Sequence, residues 1–377
     1  MPAFRFNIVS RSDIERSKGG KIMIQAIDSE GNHNRMVVGI PGSGKTTVTV
    51  MRAQRLANQK KRILVLTYQT LLRTSLINMA NDNLKESIFG FYDWYKQRFG
   101  YLHLSDSAEE MIAKMKNIGV YDEILIDEGQ DFEQRIFQSL LAICRRMTVG
   151  ADNAQKIHER GILSAQIESL LTNHEDPEMV RLEYNYRNPY EIYNFARYFM
   201  PDSERANNPI TLGKMTRGNG SLPVVMQVDS EDMAYNRLRI ILENNSGKNC
   251  VILLYHTREV DNYYNALLKM KFSCSKHYYG NHVALNIENI LVTTYKSAKG
   301  LEFQVVIMPD MQTAMDSEEK TAEHYYIGCT RAQESLYLLY KGANLPKCLT
   351  SFPKDSYQHI KLEGSAKTVD IIDDLPF

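Results

Sequence analysis

The stretch Gly39-Ile40-Pro41-Gly42-Ser43-Gly44-Lys45-Thr46-Thr47, GIPGSGKTT, constrains the fold of this chain more than any other feature. It follows the apolar run MVVGI from Met36 and precedes VTVMRAQRLA, a helical pattern. Strand, glycine-rich loop and helix in that order make a phosphate cradle. Glycines let backbone N–H groups approach phosphate oxygens, and the helix N-terminus adds a favourable dipole. The spacing fits GxxxxGK[ST], so Gly39, Pro41, Gly42, Ser43, Gly44 and Thr47 belong to a nucleotide-binding loop. Lys45 then reaches the β- and γ-phosphates and Thr46 ligates Mg²⁺. The competing reading is a glycine-rich turn that matches by accident.

The rest of the chain supplies the sheets such a loop needs. ILVLTY (from Ile63), EILIDE (from Glu123) and MTVGAD (from Met147) join MVVGI in a first set of strands. VVMQV (from Val224), CVILLY (from Cys250), ILVTTY (from Ile290), VVIMP (from Val305) and SLYLLY (from Ser335) form a second. Short Val/Ile/Leu runs alternating with helices indicate parallel sheets covered on both faces, hence two α/β domains. HEDPEM, from His174, looks like a connector. We expect domains over 1–180 and 181–360, then a tail over 361–377 that ends acidic.

ILIDEGQDF, from Ile124, runs a strand into carboxylates. A P-loop nucleotidase holds Mg²⁺ with a carboxylate at a neighbouring strand end, which Asp127 fits. Glu128 fits the group that positions or deprotonates the attacking water. The plainer alternative is that both cap the next helix. Gln130 and Asp131 remain as candidates to couple this site to a second ligand.

Composition narrows the setting. Lys+Arg and Asp+Glu are both 45, so any nucleic-acid binding must come from local patches. The N-terminus lacks a secretory apolar region, and no stretch reaches the roughly 20 apolar residues that span a bilayer. The 5 cysteines lack CxxC spacing, which argues for reduced thiols in a cytoplasmic protein.

Phosphoryl transfer gains from cations at the transferring group, and LEYNYR (ending at Arg187) and YIGCTRA (containing Arg331) can supply them. With these two segments the chain resembles superfamily 1 helicases of the UvrD/Rep type. The match covers most of residues 20–342 in the family's order: GIPGSGKTT, LTYQTLLR, IDEGQDF, VGADNAQKI, LEYNYR, KSAKGLEF and YIGCTRAQESLYL. The resemblance implies two tandem RecA-like P-loop domains with an ATP cleft between them, and ATP with Mg²⁺ as cofactors. It makes Gln155 the γ-phosphate sensor and Arg187 and Arg331 the arginine fingers. Tyr186 would stack on adenine, Gly300 and Glu302 would join the nucleotide contacts, with Glu302 near the ribose, and Gln25 would read adenine. A structural role for Gln25 competes with that. Thr67 would contact a strand phosphate, against a helix-capping hydroxyl as the alternative.

The implied function is an ATP-dependent single-stranded-DNA translocase or helicase moving 3′ to 5′, in repair, replication or phage defence, with RNA left open as the strand. The chain departs from the family in lacking the large accessory insertions, in having no aromatic residue in KIHERG after Gln155, and in carrying Lys296 where the family has histidine. These departures favour, as the alternative, a non-unwinding ATP-switched subunit acting on a protein partner such as a nuclease. FGFYDWYKQRFGY, from Phe89, interleaves aromatic and basic residues and suits base stacking, although aromatics at helical spacing also build cores. The terminal DDLPF resembles the acidic tip of bacterial single-stranded-DNA-binding proteins and would dock a protein partner, against a plain solvated end.

Overall fold

The computed structural model describes residues 4–152, 160–172, 176–200, 202–207, 211–278, 287–312 and 317–361. The chain divides into two compact units, Phe6–Tyr186 and Arg187–Phe377, with Met1–Arg5 assigned to the second.

The first unit holds β1 (Arg35–Gly39), β2 (Ile63–Thr67), β3 (Ile88–Gly90), β4 (Glu123–Ile126), β5 (Met147–Ala151) and β6 (Glu178–Leu182). They form one six-stranded sheet in the order β3-β2-β4-β5-β1-β6, with every pair parallel. Chain order and sheet order part after β1, because β4 and β5 fill the space between β1 and β2. Loops at the carboxyl ends diverge at such a point, and ligands of open α/β sheets bind there. Glu178 and Met179, read from sequence as connector, begin β6 on the far side of β1.

Both faces of this sheet are covered, as the apolar runs require. One face packs Met36, Leu64, Ile124 and Val149 against Phe91, Trp94, Tyr95, Phe132 and Phe137. The stacking reading of FGFYDWYKQRFGY meets its correction here. Helix Phe91–Phe99 turns Phe91, Trp94 and Tyr95 into the core, where a base cannot reach them. Tyr101, beyond the helix, is exposed and carries the Lys96 ammonium 4.4 Å above its ring.

The second unit holds β7 (Val224–Val228), β8 (Cys250–Leu254), β9 (Ser275–His277), β10 (Ile290–Thr294), β11 (Phe303–Met308), β12 (Ala332–Lys341) and β13 (Gln358–Lys361). Its seven-stranded sheet runs β13-β7-β12-β11-β8-β10-β9, again with every pair parallel. Alternate residues of β7 (Val224, Met226 and Val228) face one core with Leu238, Ile252, Val292 and Leu339.

Candidate nucleotide site

The loop after β1 takes its shape from glycine. Gly42 (φ 74°) and Gly44 (φ 95°) sit in the left-handed region that side chains rarely adopt. Helix Lys45–Asn58 starts directly after Gly44, so its first-turn amides face the loop. A Cβ on Gly39 would fall 2.5 Å from Ser43 Oγ and 2.7 Å from the Leu182 carbonyl oxygen, so only glycine fits there. Ser43 Oγ is buried without a hydrogen-bond partner among the described residues.

The Lys45 ammonium folds back over the loop, donating to the carbonyls of Gly39 (2.6 Å) and Ile40 (3.2 Å) and pairing with Asp152 at 3.3 Å. Thr46 Oγ1 donates to Asp127 Oδ2 at 2.8 Å, bringing the two expected Mg²⁺ ligands together. Burial, and then the charge of Glu128, push the Asp127 carboxyl up to about 7. A buried carboxylate pair of this kind is relieved by a cation, and the donor set of hydroxyl and carboxylate suits Mg²⁺. The fit supports the metal assignment.

Glu128 is a non-glycine residue in the left-handed region, at φ 57°. Strain of this kind, about 1–3 kcal/mol, persists where the surroundings fix it. Gln130 supplies that constraint. Its amide donates to Glu128 Oε2 at 2.5 Å and its carbonyl accepts the Asp152 amide at 3.1 Å. Glu128, Gln130, Asp152 and Lys45 therefore form one hydrogen-bonded chain across the ends of β4, β5 and β1. Sequence reading placed Gln130 as a link toward a second ligand, yet its side chain is buried inside this network. It assigned Asp152 no role, although an aspartate ending the strand beside the P-loop strand was the available signal.

Gly129 locks the turn against β5. A Cβ there would lie 2.3 Å from Val149 Cγ1, with the Gly150 carbonyl and Phe137 close behind. Gly129→Ala is expected to cost about 1–3 kcal/mol through overpacking, read as a lowered midpoint in thermal melting. An unchanged midpoint would contradict this packing.

Near the loop, Tyr186 donates its amide to the Gly42 carbonyl at 2.8 Å, and its hydroxyl donates to the Lys18 carbonyl. Helix Gly20–Asp28 brings Met23 against Gly44. Gln25 lies exposed on that helix, and Thr47 sits in the first turn after the loop. Pro41 is buried within the loop. Gln155 and the DDLPF end lie outside the described residues. Thr67 ends β2 fully enclosed, and its hydroxyl caps nothing: among the described residues Oγ1 has no hydrogen-bond partner.

In the second unit, Arg187 donates to Glu302 Oε2 at 3.0 Å and to the Thr330 carbonyl at 3.3 Å. Asn188 adds bonds to the carbonyls of Ala332 (2.6 Å) and Thr330 (3.3 Å). Gly300 turns through φ 83° just ahead of Glu302. Arg331 is 1% exposed, and its guanidinium bonds the carbonyls of Ile327 (3.1 Å) and Leu301 (3.3 Å). Arg187, KSAKGLEF and YIGCTRA thus converge where β11 and β12 begin. Arg187 is the more accessible of the two arginines, at 13% of its side chain.

Two family models match the chain, one within each unit. A model of the AAA domain matches residues 24–159, and the model described as UvrD-like helicase C-terminal domain matches residues 289–339. Both matches point to a likeness with UvrD-like superfamily 1 helicases, families whose members bind and hydrolyse ATP. No curated protein matches it. Among solved structures, a single-substitution variant of Saccharomyces cerevisiae Dbp5 bound to RNA and ADP BeF3 is 9% identical, with a TM-score of 0.55 over 96% of each chain. Dbp5 without the substitution, bound to the same ligands, gives the same identity and score over 95% of this chain and 94% of its own. The likeness shows a RecA-like fold. The C-terminal domain of a possible DNA helicase from Lactobacillus plantarum aligns over 46% of this chain and 98% of its own length, at 20% identity and a TM-score of 0.37. Among the described residues, no helix is long and apolar enough to cross a membrane.

Proposed function

We propose that this protein is an ATP-driven motor on single-stranded DNA, moving 3′ to 5′ as its family resemblance implies. The observation that carries the reading is the hydrogen-bonded chain from Glu128 through Gln130 and Asp152 to Lys45. It joins the water-activating carboxylate to the phosphate-binding lysine, so loss of the γ-phosphate changes what Lys45 binds and what Glu128 leans on. Thr46 and Asp127 hold Mg²⁺ in this scheme. Arg187 and Arg331 supply the cations that stabilise the transferring phosphoryl group, with Gln155 sensing it. Tyr186, Gln25, Gly300 and Glu302 contact the nucleoside. Arg331 must first exchange its carbonyl partners for phosphate oxygens.

The test is steady-state ATP hydrolysis with and without a single-stranded DNA oligonucleotide, and with RNA of the same sequence. We expect DNA to raise the rate at least tenfold. No response to either strand, with stimulation by a protein partner instead, would overturn the motor and favour the switched subunit. Displacement of streptavidin from a 5′-biotin, and not from a 3′-biotin, reads the proposed polarity.

A further inference from the structure

The opposite end of the first unit's sheet carries a feature that nucleotide chemistry does not use. Gly39, Thr67, Ile126 and Ala151 end their strands at the nucleotide side. The starts of those same adjacent strands, β1, β5, β4 and β2, border a groove of about 770 Å³. Arg52, Arg55, Lys61, Arg145 and Arg146 line it, against the acids Glu30 and Asp122. On a chain with formal net charge +0, this is a local concentration of cations.

The floor is rigid and rich in guanidinium. Arg52 is bidentate to the buried Glu123 (2.6 and 2.9 Å), and Arg146 approaches the same carboxylate at 3.6 Å. Arg52 also donates to the Ser29 carbonyl at 2.8 Å and Arg146 to that of Gly31 at 2.9 Å, which pins the loop at the groove's edge. The buried Arg35 pairs with Glu178, at 2.5 Å. Three guanidiniums thus share two carboxylates in this layer. Arginine is the cation best matched to phosphate oxygens.

The rim is open. Lys61 has no ion-pair partner among the described residues, Arg145 is 74% exposed and only 3.8 Å from Asp122, and Arg55 pairs with an exposed Glu30. Exposed pairs like these contribute little, so a polyanion can displace them. Lys60 and Lys61 follow helix Lys45–Asn58 in a tight cap: Lys60 takes φ 58°, and the Lys61 amide reaches back to the Leu56 carbonyl at 3.1 Å. That cap holds Lys61 at the groove's wall.

We infer that this groove is a second phosphate site, one that binds the sugar–phosphate backbone of a nucleic acid at the end of the unit remote from the P-loop. The inference rests on the proposed action on nucleic acid. Phosphodiester is favoured over acidic peptide because four of the five cations are arginine. Arg52 and Arg55 sit on helix Lys45–Asn58, and Lys61, Arg145 and Arg146 just ahead of β2 and β5, so that they spread along the groove as successive phosphates do.

The test is the double variant Lys61→Glu/Arg145→Glu, which leaves Arg52 and Arg146 in place. Fluorescence anisotropy with a labelled strand and with a labelled duplex, across a salt series, should show affinity at least tenfold weaker at 0.1 M salt for one or both. The slope of log affinity against log salt should fall by about 1.4–1.8, two contacts' worth. Melting temperature and ATP hydrolysis without DNA should stay at wild-type values. Wild-type affinity and slope in the variant would overturn the groove. Loss of inorganic tripolyphosphate binding with unchanged DNA affinity would overturn the backbone assignment. If the wild-type protein binds no nucleic acid at all, the proposed function itself fails, an outcome distinct from both.

Discussion

Glu128→Gln is expected to lower ATP turnover by about 10²–10⁴-fold, the usual contribution of a positioned general base. The amide keeps the shape of the carboxylate and still accepts the bond from Gln130, so the turn at φ 57° has no reason to relax. What it loses is the ability to take a proton from water. Nucleotide and Mg²⁺ should bind at least as well as in the wild type. The charge of Glu128 is one of the two influences that raise Asp127, the other being burial. Removing it makes Asp127 easier to ionise, and an ionised Asp127 is the better Mg²⁺ ligand. The informative result is therefore a split: filter or fluorescence binding of ATP unchanged or tighter, with steady-state hydrolysis nearly abolished. Turnover within tenfold of the wild type would remove Glu128 from the role of base.

How much of this was legible beforehand follows a physical line. The strands read from apolar runs, β1, β2, β4 and β5 in one unit and β7, β8, β10, β11 and β12 in the other, are the interior strands of the two sheets. The strands that escaped notice, β3, β6, β9 and β13, are the four sheet edges. An interior strand of a parallel sheet is buried on both faces and must be apolar throughout, which leaves a plain signal. An edge strand is short and half solvated and carries charge, as SKH and QHIK do. The nucleotide loop and the Asp127–Glu128 pair were legible because each is contiguous in sequence. The Gln130–Asp152 link was not, because it exists only once β5 lies between β4 and β1, and local sequence does not state sheet order. The aromatic helix Phe91–Phe99 misled for a related reason. Burial of Phe91, Trp94 and Tyr95 is decided by which face meets the sheet, and interleaved charges hid that face.

Arg52→Leu is expected to destabilise the first unit by about 3–5 kcal/mol, because it leaves Glu123 buried without its bidentate partner. For a unit of this size that corresponds to a melting midpoint lower by roughly 6–20 °C. Arg146 at 3.6 Å and the Thr148 hydroxyl at 2.7 Å remain near Glu123, so the low end of the range applies if they move in. The origin of the loss separates from simple cavity formation by pH. Burial alone would raise the Glu123 carboxyl, but its bonds and charge contact with Arg52 outweigh that and hold it below the usual 4.5. A lowered folded value means the stabilisation is fully present above pH 4.5 and is lost as pH falls through the folded value. The wild type should therefore lose stability on acidification below about pH 4.5 more steeply than Arg52→Leu, which has already lost the pair. The double variant Arg52→Leu/Glu123→Gln strands no full charge and should recover part of the loss. A midpoint within about 2 °C of the wild type for Arg52→Leu would show that the pair contributes little. Glu123 opens the strand that ends at Asp127 and Glu128, so the same buried pair that floors the groove also fixes the register from which both carboxylates project.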